Sequence, residues 1–267
     1  MAYLPQSEIL LASMSEFNIK RVNLLGKRFY DVEGCGVFPS VTTVLNTTGD
    51  KSGLERWRKR VGEEEAQRIG QEATSRGTVM HKHLELYLGE DLTKDKSELL
   101  EMSKDKSKTD EEINQFNDKA KDLGEDLFMK FYKHDDFFPR IQETIFQEKF
   151  LWFNQGELGY AGTVDNFSLL KCGKRKVIDF KTAKKPKSED WIMDYKLQVS
   201  AYSIAIWQRT GIKPDGCEIW IANELTDEPQ KFVLNFDEVR FFFSLFKDRL
   251  KRFNEIKRNA ELQGVNI

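Results

Sequence analysis

Alternation between apolar and polar positions divides the chain into segments of different period. Residues 18–25 and 28–32 alternate with period two and read as a hairpin around Gly26-Lys27. Pro39 and Ser40 then open a short helix over 41–45, with Ser40 as its cap. From 52 to 88 the period lengthens and predicts helices over 52–60, 63–76 and 77–88, broken at Gly62 and Gly77. Residues 89–125 are mostly Lys, Asp, Glu, Ser and Asn with sparse apolar positions. They read as a partly helical, solvent-exposed insertion rather than core, either simply solvated or covering a channel. A helix is expected again over 127–132.

Period two returns over 141–153, 163–170, 177–181, 218–222 and 232–236, with turns at 172–175 and 223–230. Between them, 190–207 has the helical stripe Leu197, Ala201, Ile204 and Ala205. Asp237 looks like the cap of a long last helix to 262, with Phe242, Leu245, Phe246, Leu250 and Phe253 facing the core. The expected fold class is α/β: a mixed sheet flanked by helices, with a helix-rich N-terminal part. One domain is expected over 1–267. Within it lie a helical part at 36–88, the insertion at 89–125, a sheet core at 140–236 and a C-terminal helix at 237–262.

Composition narrows this picture. A hydrophobic share of 39% and twenty phenylalanines suffice for a sizeable core. No run of about eighteen apolar residues occurs, so no membrane span is expected. The first six residues lack a leader pattern, and three scattered cysteines fit a reducing compartment. A cytoplasmic, non-secreted protein is expected. The net charge of −2 argues against bulk attraction to nucleic acid and leaves the question to local charge. Two basic clusters stand out. One is Arg56-Trp57-Arg58-Lys59-Arg60, where Trp57 either stacks on a base or turns into the core. The other runs from Lys181 to Lys187.

The sharpest chemistry lies in Val177-Ile178-Asp179-Phe180-Lys181, fourteen residues after Asp165 at the point of the second acid. That spacing allows a strand, a tight turn and a second strand. Asp179 and Lys181 share one strand face and Phe180 the other. A buried strand carrying both charges requires that they meet each other or a ligand. Two carboxylates that hold a hard cation, with a lysine beside them, suit metal-assisted phosphodiester hydrolysis. His81 and Glu85 are four apart on a helix, so a neutral His81 can join the ligands while Glu85 orients it. His83 lies roughly opposite and reads as a bystander. Gly159 and Gly162 precede Asp165 and permit a turn, a bulge or close backbone approach. Gln198 and Tyr202 share a helix face and either contact nucleic acid or brace the ligands. Glu143 and Glu148 fall near the site on the 141–153 strand.

His81, Asp165, Asp179-Phe180-Lys181 and Gln198 with Tyr202 occur in the order of the RecB-like branch of the PD-(D/E)XK nucleases, which this chain resembles. The 38–45 block, the Arg76-Gly77-Thr78 block and the run from Val177 to Lys187 are similar to the mitochondrial genome maintenance exonuclease group and its phage-encoded relatives. The resemblance spans roughly 36–210. It implies a DNA exonuclease preferring single strands with free ends, acting in replication, recombination or degradation, with proteins of those processes as possible partners. It implies one or two Mg²⁺ or Mn²⁺ ions on Asp165, Asp179, His81 and the Phe180 carbonyl, with Lys181 as the catalytic lysine. Gln198, Tyr202, Thr182, Lys184, Arg76, Ser40, Trp57 and Arg60 are its candidate nucleic-acid contacts. Val164 stands where the family name has proline. Cys35, Cys172 and Cys217 are too few for the four-thiolate iron–sulfur cluster of some relatives. The same residues leave two other readings: a structure-specific endonuclease, or a non-catalytic single-strand-binding module.

Overall fold

In the computed structural model, residues 18–263 are described; the first six residues, read above for a leader pattern, lie outside them. The chain opens with β1 (Ile19–Leu24), β2 (Lys27–Val32) and β3 (Gly36–Pro39), a three-stranded antiparallel sheet. The hairpin turns on Leu25 and Gly26, one residue earlier than expected. Both have positive φ, 54° and 76°, as a two-residue turn matching strand twist requires. Ser40 caps α1 (Val41–Thr48) as expected, its Oγ accepting from the Thr43 amide at 2.9 Å.

After α2 (Ser52–Val61), a single helix α3 runs from Glu63 to Leu88. The expected break at Gly77 is absent. A glycine inside a helix costs about 1 kcal/mol, less than the burial of Val79, Met80, Leu84 and Leu88 just beyond it returns. The insertion is helical, as its sequence suggests, but part of it is buried. It folds into α4 (Lys96–Thr109) and α5 (Glu111–Asn114) and enters α6 (Asp118–Lys133). Leu99 and Leu100 are buried beside Leu84 and Tyr87, so two apolar residues anchor an otherwise charged helix to the core.

The central sheet has the order β4 (Ile141–Gln155), β5 (Leu158–Leu170), β6 (Arg175–Ala183), β7 (Cys217–Asn223) and β8 (Gln230–Leu234). Neighbours pair antiparallel except β6 and β7, which are parallel. A parallel pair needs a crossover, supplied by α7 (Met193–Thr210). The strands at β5 and β6 are longer than their apolar runs suggested. The last helix, α8 (Phe236–Leu262), is capped by Asn235 rather than Asp237: Asn235 accepts from the amides of Asp237 and Glu238 while Glu238 reaches back to the Asn235 amide.

Strand alternation divides the core. Val177, Ile219 and Ile221 face α7 and α8 in one cluster; Ile178, Phe180 and Trp220 face α3 and α6 in another. Asp179 and Lys181 therefore lie on the α7 side, with Phe180 turned to Phe131 and Trp220. The family fold class expected from the sequence is the one observed: a mixed sheet between helices. Among the described residues, no helix is long and apolar enough to cross a membrane.

Candidate active site

One cavity of about 520 Å³ gathers most of the residues singled out by the sequence: His81, Asp165, Phe180, Lys181, Thr182, Gln198 and Tyr202 all line it. β5 and β6 bring Asp165 against the Phe180 amide, which donates to its Oδ2 at 2.9 Å. The third turn from the end of α3 brings His81 over the same edge. Its Nε2 lies 3.1 Å from the Phe180 carbonyl, and its Nδ1 lies 3.9 Å from Asp165 and 4.0 Å from Glu148. With Nε2 protonated and donating to that carbonyl, the Nδ1 lone pair faces both carboxylates. Burial pushes the His81 pKa down, against the pull of Asp165, which favours the neutral ring a metal needs.

Glu148 is the residue the sequence pattern reached only as a neighbour. Its φ is 49°, a left-handed conformation unusual for a non-glycine in a strand. Register shifts occur just before it in β4, between Ile141 and Phe146. Glu148 lines the cavity at this kink, where the sequence places it only near the site. Single donor atoms of His81, Glu148 and Asp165 lie within 4.8 Å of one another. Burial, then the charge of Asp165, pushes Glu148 up to about 8. Two close carboxylates beside a neutral imidazole form a donor set suited to a hard divalent cation.

Asp179 is 1% exposed and ion-paired with Lys181. Beyond that pair neither of its oxygens finds a hydrogen-bond partner among the described residues. Burial pushes its carboxyl up to about 7. Burial alone would depress the Lys181 ammonium; the charges of Asp179 and Asp165 outweigh it and hold the group above its ordinary value. Lys181 Nζ also donates to the Phe180 carbonyl at 3.3 Å and sits 5.4 Å from the Tyr195 ring centroid. Gln198 donates to the Tyr202 hydroxyl at 3.3 Å. Burial, reinforced by Asp165, raises Tyr202 well above the usual tyrosine range, so it stays a neutral phenol. A Cβ on Gly162 would meet the Tyr202 ring at 2.7 Å, which explains the glycine before Asp165.

Several expectations change. Glu85 pairs with Lys82 at 2.9 Å instead of orienting His81. Arg76 is 11% exposed and ion-paired with Glu224 at 3.0 Å, off the cavity, because the helix turn that presents His81 carries Arg76 away. Ser40 lines the cavity, but its Oγ is engaged in capping α1. Trp57 is half-buried and Arg60 exposed on α2, a helix with no buried residue; neither lines the cavity, nor does exposed Lys184. His83 is buried, its ring stacked on Phe128 with centroids 5.6 Å apart, as a bystander should be.

The sequence profile of the PD-(D/E)XK nuclease superfamily matches residues 53–262, most of the chain. The protein belongs to this superfamily. Among solved structures, a proposed exonuclease from Eubacterium rectale is similar at 12% identity with a TM-score of 0.42. That match covers 61% of this chain and 64% of the other, so the chain spans less than two thirds of that protein. No curated protein matches the chain. Nucleases of this superfamily use divalent metals, and the cavity offers a donor set that suits one.

Proposed function

We propose that the protein is a metal-dependent DNA exonuclease acting on single strands with free ends, in replication, recombination or degradation of DNA. The observation that carries this reading is the convergence of His81, Glu148, Asp165 and Lys181 on one cavity. In it His81, Glu148 and Asp165 would hold the cation, with Asp179 and the Phe180 carbonyl as further members of the set. When bound, the cation supplies Lewis-acid charge against the phosphate.

The chain's own groups supply the rest. Lys181 carries a full positive charge next to the carboxylates and offsets the charge that grows on the phosphate during attack. Asp179 fixes that ammonium from beneath, at a position closed to solvent. Tyr202 and Gln198 present a phenol and an amide across the cavity as neutral donors to the phosphate or as braces for Asp165. The resemblance to the mitochondrial genome maintenance exonuclease group supports the preference for free single-stranded ends.

The test is a time course on single-stranded DNA labelled at either end, with Mg²⁺, with Mn²⁺ and with chelator. A metal-dependent ladder is expected, and Lys181→Ala or Asp179→Ala should abolish it while the circular dichroism spectrum stays unchanged. Cleavage at the wild-type rate by either variant would overturn the assignment. Cutting of a closed single-stranded circle would convert the reading to an endonuclease.

A further inference from the structure

Four cations line the cavity: Arg21, Arg28, Lys82 and Lys181. Two of them are committed. Lys181 is paired with Asp179, and Lys82 lies within 4.0 Å of Glu85, Asp110 and Glu112. Arg21 and Arg28 are exposed, and their guanidinium groups make no ion pair or side-chain hydrogen bond with any described residue. Both belong to the β1–β2 hairpin. Arg21 stands opposite Tyr30, and Arg28 opposite Asn23, so Arg21, Arg28 and Tyr30 share one face of that hairpin. Tyr30 fixes where the face points: its hydroxyl lies 3.4 Å from Thr163 Oγ1, two residues before Asp165. Backbone pairing of Ser40 with Ala161 anchors the small sheet to β5 at the same place. The wall carrying the two arginines is thus fixed relative to the metal-binding carboxylates.

We propose that Arg21 and Arg28 form a phosphate clamp that positions the DNA backbone on the side of the cavity opposite the carboxylates, an inference that rests on the nuclease reading. The charge balance requires such a clamp. Glu85, Glu112 and Asp165 face the same cavity and repel a polyanion. A guanidinium pairs with phosphate oxygens through two parallel hydrogen bonds, and an unpaired one has no partner to give up first. The hairpin also lies outside residues 53–262, the part that matches the superfamily. Arg21 and Arg28 are positioning residues; neither touches Asp165 or Lys181.

Binding of a labelled single-stranded oligonucleotide in chelator, across a salt series, tests the clamp without cleavage. Arg21→Gln with Arg28→Gln should weaken binding about tenfold at low salt. The slope of log affinity against log salt should fall by about 1.4, the value for two lost phosphate contacts on a single strand. In Mg²⁺ the pair should raise KM and leave kcat within about threefold, the pattern of lost ground-state binding. Arg21→Lys with Arg28→Lys should restore most of the salt slope. Lys20→Gln, on the same strand but facing the other side, should change neither quantity. Unchanged affinity and slope in the double glutamine variant, with wild-type cleavage intact, would overturn the clamp and leave the nuclease reading standing. A wild type that never cleaves, yet loses affinity and slope in the variant, would keep the clamp and sink the nuclease reading.

Discussion

Glu148 concentrates the cost of the site in one residue. Its left-handed backbone is about 1 kcal/mol worse for glutamate than for glycine. Its carboxyl, pushed up to about 8 by burial and by Asp165, is held neutral where it would ordinarily ionise. The sign follows from the raised value. Below the ordinary 4.5 the contribution of Glu148 to stability is fully present, and it is lost as pH rises toward 8. A bound divalent cation reverses that loss. Mn²⁺ should therefore raise the thermal midpoint more at pH 8.5 than at pH 6; equal increments at both would rule out Glu148 as a ligand. Glu148→Gly should remove most of the Mn²⁺ increment while raising the metal-free midpoint at pH 8 by about 2 °C, read by calorimetry. Such a gain in stability with loss of metal response separates a ligand from a structural residue.

At the scale of elements, α3 shows what glycine can mean in a helix. A Cβ on Gly77 would meet only Thr182 Oγ1 at 3.6 Å, an ordinary contact. Gly77→Ala should thus stabilise the fold by about 0.4–1 kcal/mol, measured by urea titration, while narrowing the cavity it lines and slowing cleavage. Gly124 on α6 is the opposite case. A Cβ there would lie 2.4 Å from Val79 Cγ1, so Gly124→Ala should destabilise by about 1–3 kcal/mol. Stabilisation by Gly124→Ala would mean that α3 and α6 pack less closely than described. These elements also show how much the sequence discloses. The directions of His81, Asp165, Asp179, Lys181, Gln198 and Tyr202 follow from the sequence because each sits in a regular strand or helix, whose period fixes them. Gly77 misled because it reads as a helix break, whereas burial on α6 holds the helix through it. Arg21, Arg28 and Glu148 were not assigned roles from sequence. The first two reach the cavity only through the pairing of two sheets far apart in sequence, and the third through a local kink.

For the whole molecule, an ion pair on a buried carboxylate ties the edge of one core to the central sheet. Arg140, the last residue of the turn at Phe138–Arg140, donates twice to Glu218 on β7, each bond 3.0 Å, and Trp220 donates to the same carboxylate at 2.9 Å. Glu218 is 1% exposed. Burial would raise its pKa, but Arg140 and Trp220 more than compensate and hold it below the ordinary 4.5. Its contribution to stability is present above that value and is lost as pH falls through the lowered one. Arg140→Met leaves the carboxylate without its counter-charge and should cost about 3–5 kcal/mol by urea denaturation at pH 7. The gap between wild type and variant should shrink below pH 4.5; a gap that stays constant would mean the pair contributes little.

The wide sequence spacing of the site has a consequence for how the protein is made. His81, Glu148, Asp165 and Lys181 come from α3, β4, β5 and β6, and Gln198 and Tyr202 from α7 beyond them. A chain emerging from the ribosome at about 5–20 residues per second spends several seconds with its first histidine outside and its lysine still inside. Throughout that interval it lacks the full set of groups proposed to cut DNA. On the proposed reading, synthesis itself keeps the nascent chain inert until α7 has emerged.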